Sequence, residues 1–208
     1  FARMLAAGEI NAVSLVPTLL RILLKSPAVI GEAGKNLRWM EIGSQHMTAD
    51  EKDRVRKLFP NARIVQHYGL TEASRSTFLQ VSDAPKDLLG SVGRPVAHTE
   101  VGFSADGRIR IRGPHVAKWR IDADGLHDLH DVDGWLQTND LGHMRDGHLF
   151  FEGRADDLIN CGGVKIVPDQ LEERIRARLD PGAAIAVARI PDAQRGDGVL
   201  VAVRTDPT

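Results

Sequence analysis

Short apolar runs alternate with amphipathic stretches through the first third of the chain. Ala12–Val16 is apolar with a β-branched bias, which predicts a buried strand. Pro17 follows where a first helical residue tolerates a missing N–H. Leu19, Leu20, Leu23 and Leu24 then set a helical stripe that runs up to Pro27. Leu37–Ile42 predicts a second buried strand, ended by Gly43-Ser44. Thr48 and Glu51 have the spacing of a capping box, in which each side chain satisfies a free backbone donor. Val55, Leu58 and Phe59 continue that helix and Pro60 stops it; Arg63–Gln66 is a third strand. This βαβαβ order implies parallel strands joined by right-handed crossovers, and strands of that kind are expected to be buried on both faces. Ligands of such sheets bind beyond the carboxyl ends of the strands. Gly43-Ser44-Gln45-His46 and His67-Tyr68-Gly69-Leu70-Thr71-Glu72 occupy those ends.

The pattern then changes from period 3.6 to period 2. Gly90–Gly113 is glycine-rich, and Ile109 and Ile111 alternate with Arg108, Arg110 and Arg112 after a turn at Ala105-Asp106-Gly107. A second hairpin is expected at Asp146-Gly147, between Leu141–Met144 and His148–Phe151. Between the two, Asp122–Gly134 holds five Asp and two His and reads as a polar loop. After Gly153 a helix is predicted over Asp169–Leu179, with Leu171, Ile175 and Leu179 on one face. Its acids come early and its arginines late, complementing the helix dipole. Strands at Ala184–Ile190 and Val199–Val203 follow, a thin core expected to continue past residue 208.

Composition narrows the function. Lys and Arg number 27 against 28 Asp and Glu, a formal net charge of −1, which argues against a nucleic-acid partner bound on a basic surface. The single cysteine, Cys161, excludes an intramolecular disulfide and a cysteine-cluster zinc site, and fits a reducing, cytoplasmic setting. It has no adjacent base in sequence that would make it a nucleophile. No membrane span is expected, because the most apolar stretch, Val13–Leu24, is short and is interrupted by Ser14, Pro17, Thr18 and Arg21. His127 and His130, with Asp128 and Asp131, read as a solvated loop rather than a metal site, since no third distant ligand is evident. The chain begins with Phe rather than Met and ends straight after an apolar strand, so both ends read as cut from a longer protein.

Three collinear segments carry a resemblance. They are Gln66-His-Tyr-Gly-Leu-Thr-Glu-Ala73, Asp133-Gly-Trp-Leu-Gln-Thr-Asn-Asp-Leu-Gly142, and the stretch from Gly153-Arg-Ala-Asp-Asp157 through Cys161-Gly-Gly-Val-Lys165 to Glu172. Val16-Pro-Thr18 and Gly93-Arg-Pro95 leading to Gly113-Pro-His-Val116 support them. Together they resemble the adenylate-forming superfamily of acyl-CoA synthetases, peptide-synthetase adenylation domains and luciferases. The resemblance implies an α/β fold in three parts: a parallel βαβ layer of a large adenylation domain over residues 1–84, and an antiparallel β-barrel-like subdomain over 85–152. After a hinge at 153–157, a small α+β C-terminal domain would begin at 158–208.

The chemistry follows from the same resemblance. The parent would be an ATP-dependent acid–thiol ligase: a carboxylate attacks the α-phosphorus of ATP, pyrophosphate leaves, and the acyl group passes from AMP to CoA or to the phosphopantetheine of an acyl carrier protein. Tyr68 supplies a flat face for adenine, and Thr71 offers its hydroxyl to an α-phosphate oxygen. Glu72 is a hard oxygen ligand for Mg²⁺, and Gly69 lets the backbone come close to the nucleotide. Gly43, Ser44 and His67 complete the nucleotide end of the sheet, where Gln66 and His67 could also line the acyl pocket or His67 simply cap a strand. Asp140 can accept from both ribose hydroxyls, and Arg154 is a second ribose or phosphate contact. Asn139 stands where the family usually has glycine, and asparagine can adopt the same left-handed conformation at some cost. Asp156 falls at the hinge, and Gly162-Gly163 at the loop that lines the thiol tunnel. The family's phosphate loop should precede residue 1 and its catalytic lysine should follow residue 208; Lys165 is not at that position. The piece alone is therefore expected to be inactive, and either to pair with another copy through Val13–Val16 and Leu37–Ile42 or to occur together with the rest of the parent chain. Two other classes share the scaffold: a nucleotide- or adenylate-binding module without catalysis, and a luciferase-like oxygenase.

Overall fold

The computed structural model describes residues 1–179 and 183–204. The chain divides into two units, one of Phe1–Gly102, Arg110–Gln137 and Met144–Phe151, the other of Phe103–Ile109, Thr138–His143 and Glu152–Thr208.

The first unit begins with a short helix α1 (Ala2–Ala6), then β1 (Ala12–Leu15), α2 (Pro17–Lys25), the single turn α3 (Pro27–Ile30), β2 (Trp39–Ile42), α4 (Ala49–Leu58) and β3 (Arg63–Tyr68). Pro17 occupies the first turn of α2, and both halves of the capping box at Thr48 and Glu51 are made, at 3.2 and 2.9 Å. β1 pairs with β2 and β2 with β3, both parallel, as the alternation of strand and helix requires. β4 (Thr77–Gln80) adds to β3 antiparallel, and β5 (Arg94–Pro95) adds to β4, giving the sheet order β1-β2-β3-β4-β5.

One face of this sheet carries the core. Met40, Ile42, Ile64 and Leu79 meet Leu20 and Leu24 of α2, with Val55 and Phe59 from α4 and its cap. Full burial of such side chains stabilises by roughly 1.5–3 kcal/mol each. The other face is not the apolar surface that parallel strands suggest. Ser14, Trp39, Glu41 and Arg63 alternate with the core positions, and the Arg63 guanidinium lies 5.8 Å from the Trp39 ring centre. The period of 2 was present in Trp39-Met40-Glu41-Ile42, and reading the stretch from Leu37 as one apolar run concealed it.

Four strands follow in the order β11-β10-β7-β6: β6 (Glu100–Phe103), β7 (Arg108–Arg112), β10 (Leu136–Arg145) and β11 (His148–Arg154). Ile109 and Ile111 are fully buried and their flanking arginines are not, as the alternation predicts. The polar loop expected over residues 122–134 is in part a hairpin of its own, β8 (Trp119–Asp122) with β9 (Gly125–Asp128). Its turn is closed by the Asp122 carboxylate, which accepts from the Asp124 N–H at 3.0 Å and contacts His127 Nε2 at 2.9 Å. The aspartates that suggested a loop are the residues that make the turn.

In the second unit, β12 (Ile159–Cys161), β13 (Val164–Ile166), β14 (Ala184–Asp192) and β15 (Gly196–Arg204) form a sheet in the order β13-β12-β15-β14, with α5 (Pro168–Arg176) between β13 and β14. α5 is shorter than the expected helix, ending at Arg176 rather than Leu179, and none of its residues is buried. Among the described residues no helix is long and apolar enough to cross a membrane.

Candidate functional site

The carboxyl ends of β2 and β3 hold the first cluster. After Tyr68 the chain makes a tight turn in which the Leu70 and Ala73 backbones bond to each other, at 3.0 and 3.2 Å. A side chain at Gly69 would bring its Cβ within 2.4 Å of the Arg75 nitrogen and 2.6 Å of the Ala73 carbonyl, so only glycine fits. That turn leaves Thr71 exposed and Glu72 half-buried. The Glu72 backbone carbonyl accepts from the Ala117 N–H at 2.7 Å, while its carboxylate has no hydrogen bond or ion pair among the described residues. A fixed backbone with an unpaired carboxylate suits a hard cation that keeps much of its water. Ser76, fully buried, donates to Ala73 and contacts His115 Nε2 at 2.9 Å, which ties the turn to the Gly113–Val116 segment.

The Tyr68 ring lies 6.3 Å from that of Phe151, which in turn lies 5.8 Å from the His46 imidazole. His46 is taken down to about 4 by burial and then by the Lys52 charge, so it is neutral at pH 7. Gln66 is buried with its Oε1 unpartnered. A buried acceptor left alone costs about 1–3 kcal/mol, which marks it as a position that a ligand donor could satisfy.

Gly43 lies under the His67 ring: a Cβ there would sit 2.2 Å from Cε1 and 2.3 Å from Nε2. Ser44 follows at φ 75°, a left-handed conformation that costs a non-glycine residue. Glu41, one face-repeat before Gly43, takes a two-pronged contact from Arg75 at 2.8 and 3.3 Å. The Arg75 guanidinium holds the Glu41 carboxyl below the usual carboxylate range. Glu41 Oε1 also lies 3.1 Å from His67 Nδ1, a charge contact too bent for a regular hydrogen bond. Burial lowers the His67 pKa, and Glu41 opposes that shift. The sequence singles out His67 but not Glu41 or Arg75, which the fold places beside it. The available signal was one charge, Glu41, inside an otherwise apolar strand.

The remaining expected site residues belong to the second unit. Asp140 is buried, and its N–H donates to Thr138 Oγ1 at 3.0 Å. Arg154 Nη1 lies 3.9 Å from the Asp140 carboxylate, while Nε and Nη2 fork onto Asp156 at 3.0 and 2.8 Å. Asp156, Arg154 and Asp140 are thus one charge chain rather than separate contacts. Arg154 and Asp156 also line a cavity of about 280 Å³ with Asp157, Asp169, Glu172 and Arg189. Partial desolvation at the cavity wall, then the neighbouring Glu172 and Asp157, raise the Asp169 pKa.

Asn139 does not use the left-handed conformation open to it. It lies in β10 and is not among the positive-φ residues; its Oδ1 accepts from Arg108 Nη1 at 2.7 Å and its carbonyl from the Ala155 N–H at 2.7 Å. Strand pairing holds it extended, so no glycine-like conformation is needed there. Gly162 and Gly163 form the two-residue turn between β12 and β13, at φ 60° and 88°. A Cβ at Gly163 would meet nothing within 4 Å, so that turn borders open space. The structure thus brings together Gly43 with His67 and Asp140 with Arg154 and Asp156, and places the two glycines on a separate turn.

Residues 1–119 match the model of the AMP-binding enzyme family. A 3-[(3aS,4S,7aS)-7a-methyl-1,5-dioxo-octahydro-1H-inden-4-yl]propanoyl:CoA ligase of Mycobacterium tuberculosis is 30% identical, over 87% of this chain and 36% of its own length. A 2-succinylbenzoate–CoA ligase of Listeria monocytogenes is 29% identical, over 93% of this chain and 41% of its own length. Among solved structures, ATP-bound MatB from Rhodopseudomonas palustris superposes with a TM-score of 0.78 at 27% identity, over 97% of this chain and 42% of that one. The chain therefore spans about two-fifths of the length of these relatives.

Proposed function

This chain belongs to the AMP-binding enzyme family, and on that footing we propose that it is part of an ATP-dependent acid–thiol ligase, which activates a carboxylic acid as its acyl-adenylate and passes the acyl group to CoA or a carrier-protein pantetheine. The observation that carries this reading is the turn after β3. Gly69 forces a tight backbone there, and the Glu72 carboxylate has no protein partner among the described residues. The names of the similar proteins, two of them CoA ligases and one an ATP-bound structure, support the same chemistry.

In this reading the Tyr68 ring packs against adenine, and Gln66 Oε1 accepts a hydrogen bond from its exocyclic amine. Thr71 donates its hydroxyl to an α-phosphate oxygen as charge builds there. Glu72 holds Mg²⁺, which neutralises phosphate charge when bound. Asp140 takes the ribose hydroxyls, and Arg154, already held by Asp156, adds a positive charge beside them. Asp156 is the hinge position, and the open turn at Gly162-Gly163 gives a pantetheine arm room to pass close to the backbone.

The test uses the complete parent protein. Glu72→Gln should reduce ATP–pyrophosphate exchange at least tenfold while leaving the fold intact, in line with the loss of one preorganised electrostatic contact. Gly163→Trp should block thiol transfer and spare exchange, since it fills the open side of the β12–β13 turn, and Gly163→Ala, which carries the same backbone strain at φ 88° without the bulk, should spare both. Equal exchange by Glu72→Gln and parent would count against the metal role. Loss of both half-reactions in Gly163→Trp would count against the tunnel.

A further inference from the structure

The β8–β9 hairpin forms a two-stranded sheet of its own. A lone hairpin is at best marginally stable in water, and this one leaves its apolar side chains uncovered: Trp119, Ile121 and Leu126 are 48%, 80% and 62% exposed. The register puts these three on one face, since Ile121 stands opposite Leu126 and Trp119 lies two residues before Ile121. Arg120, Asp122 and His127 share the other face. The same register settles the backbone. Asp122 and Gly125 close the two-residue turn, and the Leu129 N–H donates to the Lys118 carbonyl at 2.9 Å. Residues 118, 120 and 122 therefore direct their peptide groups at β9, while Trp119 and Ile121 direct theirs outward, along an edge that no strand covers among the described residues. The charges along β8 and its turn run Lys118, Arg120, Asp122, Asp124, two positive and then two negative, evenly spaced about Ile121. Within one hairpin Asp122 contacts Arg120 at 3.4 Å and His127 at 2.9 Å and stays exposed, so it can take a second cation. Charges ordinarily keep a strand edge from pairing. Here a copy of the edge turned end for end meets each charge with its opposite.

We propose that β8 pairs antiparallel with β8 of a second copy of this chain, about a two-fold axis at Ile121, joining the two hairpins into one four-stranded sheet. In that register Ile121 faces Ile121 of the second copy, and their outward N–H and C=O groups exchange both hydrogen bonds. Arg120 comes opposite Asp122 of the second copy, and Lys118 opposite its Asp124, so the axis generates four pairs of opposite charge. Trp119 comes opposite Ala123, whose methyl group leaves the indole room. On the apolar face the two Ile121 side chains sit side by side with Leu126 behind each, a continuous row across the interface. A register shifted by two residues would set Arg120 against Arg120, or Asp122 against Asp122, which singles out the pairing at Ile121. The contact is small, so the dimer is weak, with a dissociation constant in the micromolar range.

The experiment is analytical ultracentrifugation of the complete parent protein, whose mass should double as its concentration rises through the micromolar range. Ile121→Asp, which sets two carboxylates against each other on the axis, should abolish that doubling. Lys118→Asp and Asp124→Lys should each raise the dissociation constant severalfold, because like charges then stand opposite. An equimolar mixture of those two variants should recover the parent's association as a heterodimer, since every pair is again of opposite sign. Under a mild oxidant, Ile121→Cys in a Cys161→Ser background should give a covalent dimer. Leu126→Cys should not, its counterpart being three strand spacings, about 14 Å, away. A parent whose mass stays constant from micromolar to millimolar concentration would overturn the proposal. So would association unchanged by Ile121→Asp, or Leu126→Cys cross-linking as readily as Ile121→Cys. If Ile121→Asp does not fold, the charge-swapped pair decides: recovery on mixing supports the register, and no recovery overturns it.

Discussion

The β1–β3 layer and the β12–β15 sheet contain similar elements and hold together differently. In the first, Leu20, Met40, Ile42, Phe59 and Ile64 are all fully buried, and the helices α2 and α4 close over them. In the second, α5 buries nothing completely, and Leu200, Val201 and Val203 of β15 remain 40–49% exposed. What orders that sheet is hydrogen bonding: the long β14–β15 ladder, the Val187 N–H donated to Glu172 at 2.9 Å, and the Asn160 N–H donated to Asp197 at 2.8 Å. Burial scales with apolar area and makes a region cooperative; hydrogen bonds exchanged with water contribute only about 1 kcal/mol each. The first region should therefore be sensitive to volume, and the second to single polar contacts.

The largest expected effect tests that volume sensitivity. Phe59→Ala, which empties the space under the α4 cap, should destabilise the chain by about 3–5 kcal/mol in denaturant unfolding. Leu200→Ala in β15 should cost well under half as much, and equal costs would erase the contrast.

A second test exploits a charged side chain inside the first core. Lys52 is fully buried on α4, and its ammonium donates to the Ser91 carbonyl at 2.8 Å. Burial takes it down from its ordinary value to about 7, with Glu51 opposing. The unfolded chain keeps that lysine protonated up to a pKa of about 10.4. Between pH 7 and 10 the unfolded state therefore binds more protons, and stability should rise with pH by an amount of order a few kcal/mol. Denaturation midpoints measured across that range should climb in the parent and stay flat in Lys52→Met.

The smallest effect belongs to the polar contact of the second region. Glu172→Ala leaves the Val187 N–H without its acceptor and should cost about 1 kcal/mol, read as a modest fall in the unfolding midpoint. A larger loss than that from Phe59→Ala would reverse the comparison.

The turn after β3 and the start of α4 were legible because their signals are local. The Gln66–Ala73 segment announced a turn at a strand end, and Thr48-Ala-Asp-Glu51 announced a helix start; both depend on neighbours three residues apart. The β8–β9 hairpin was misread, since a run rich in aspartate looks the same whether it is solvated or closes a turn with its own carboxylates. Glu41 and Arg75 were not found around His67, because they come from different elements, 34 residues apart in sequence.

The sequence by itself determined the parallel layer, the placing of its loops at the carboxyl ends, the two hairpin turns and the family. Each of these follows from periodicity, turn chemistry or a contiguous motif, which are properties of short stretches of chain. The tertiary structure alone decided that Asn139 lies extended in β10, that Lys52 is sealed from water, and that Gly43 holds His67 upright against Glu41. Those are facts about distance between segments remote in sequence, and they are settled only when burial has chosen which face of each strand and helix turns inward.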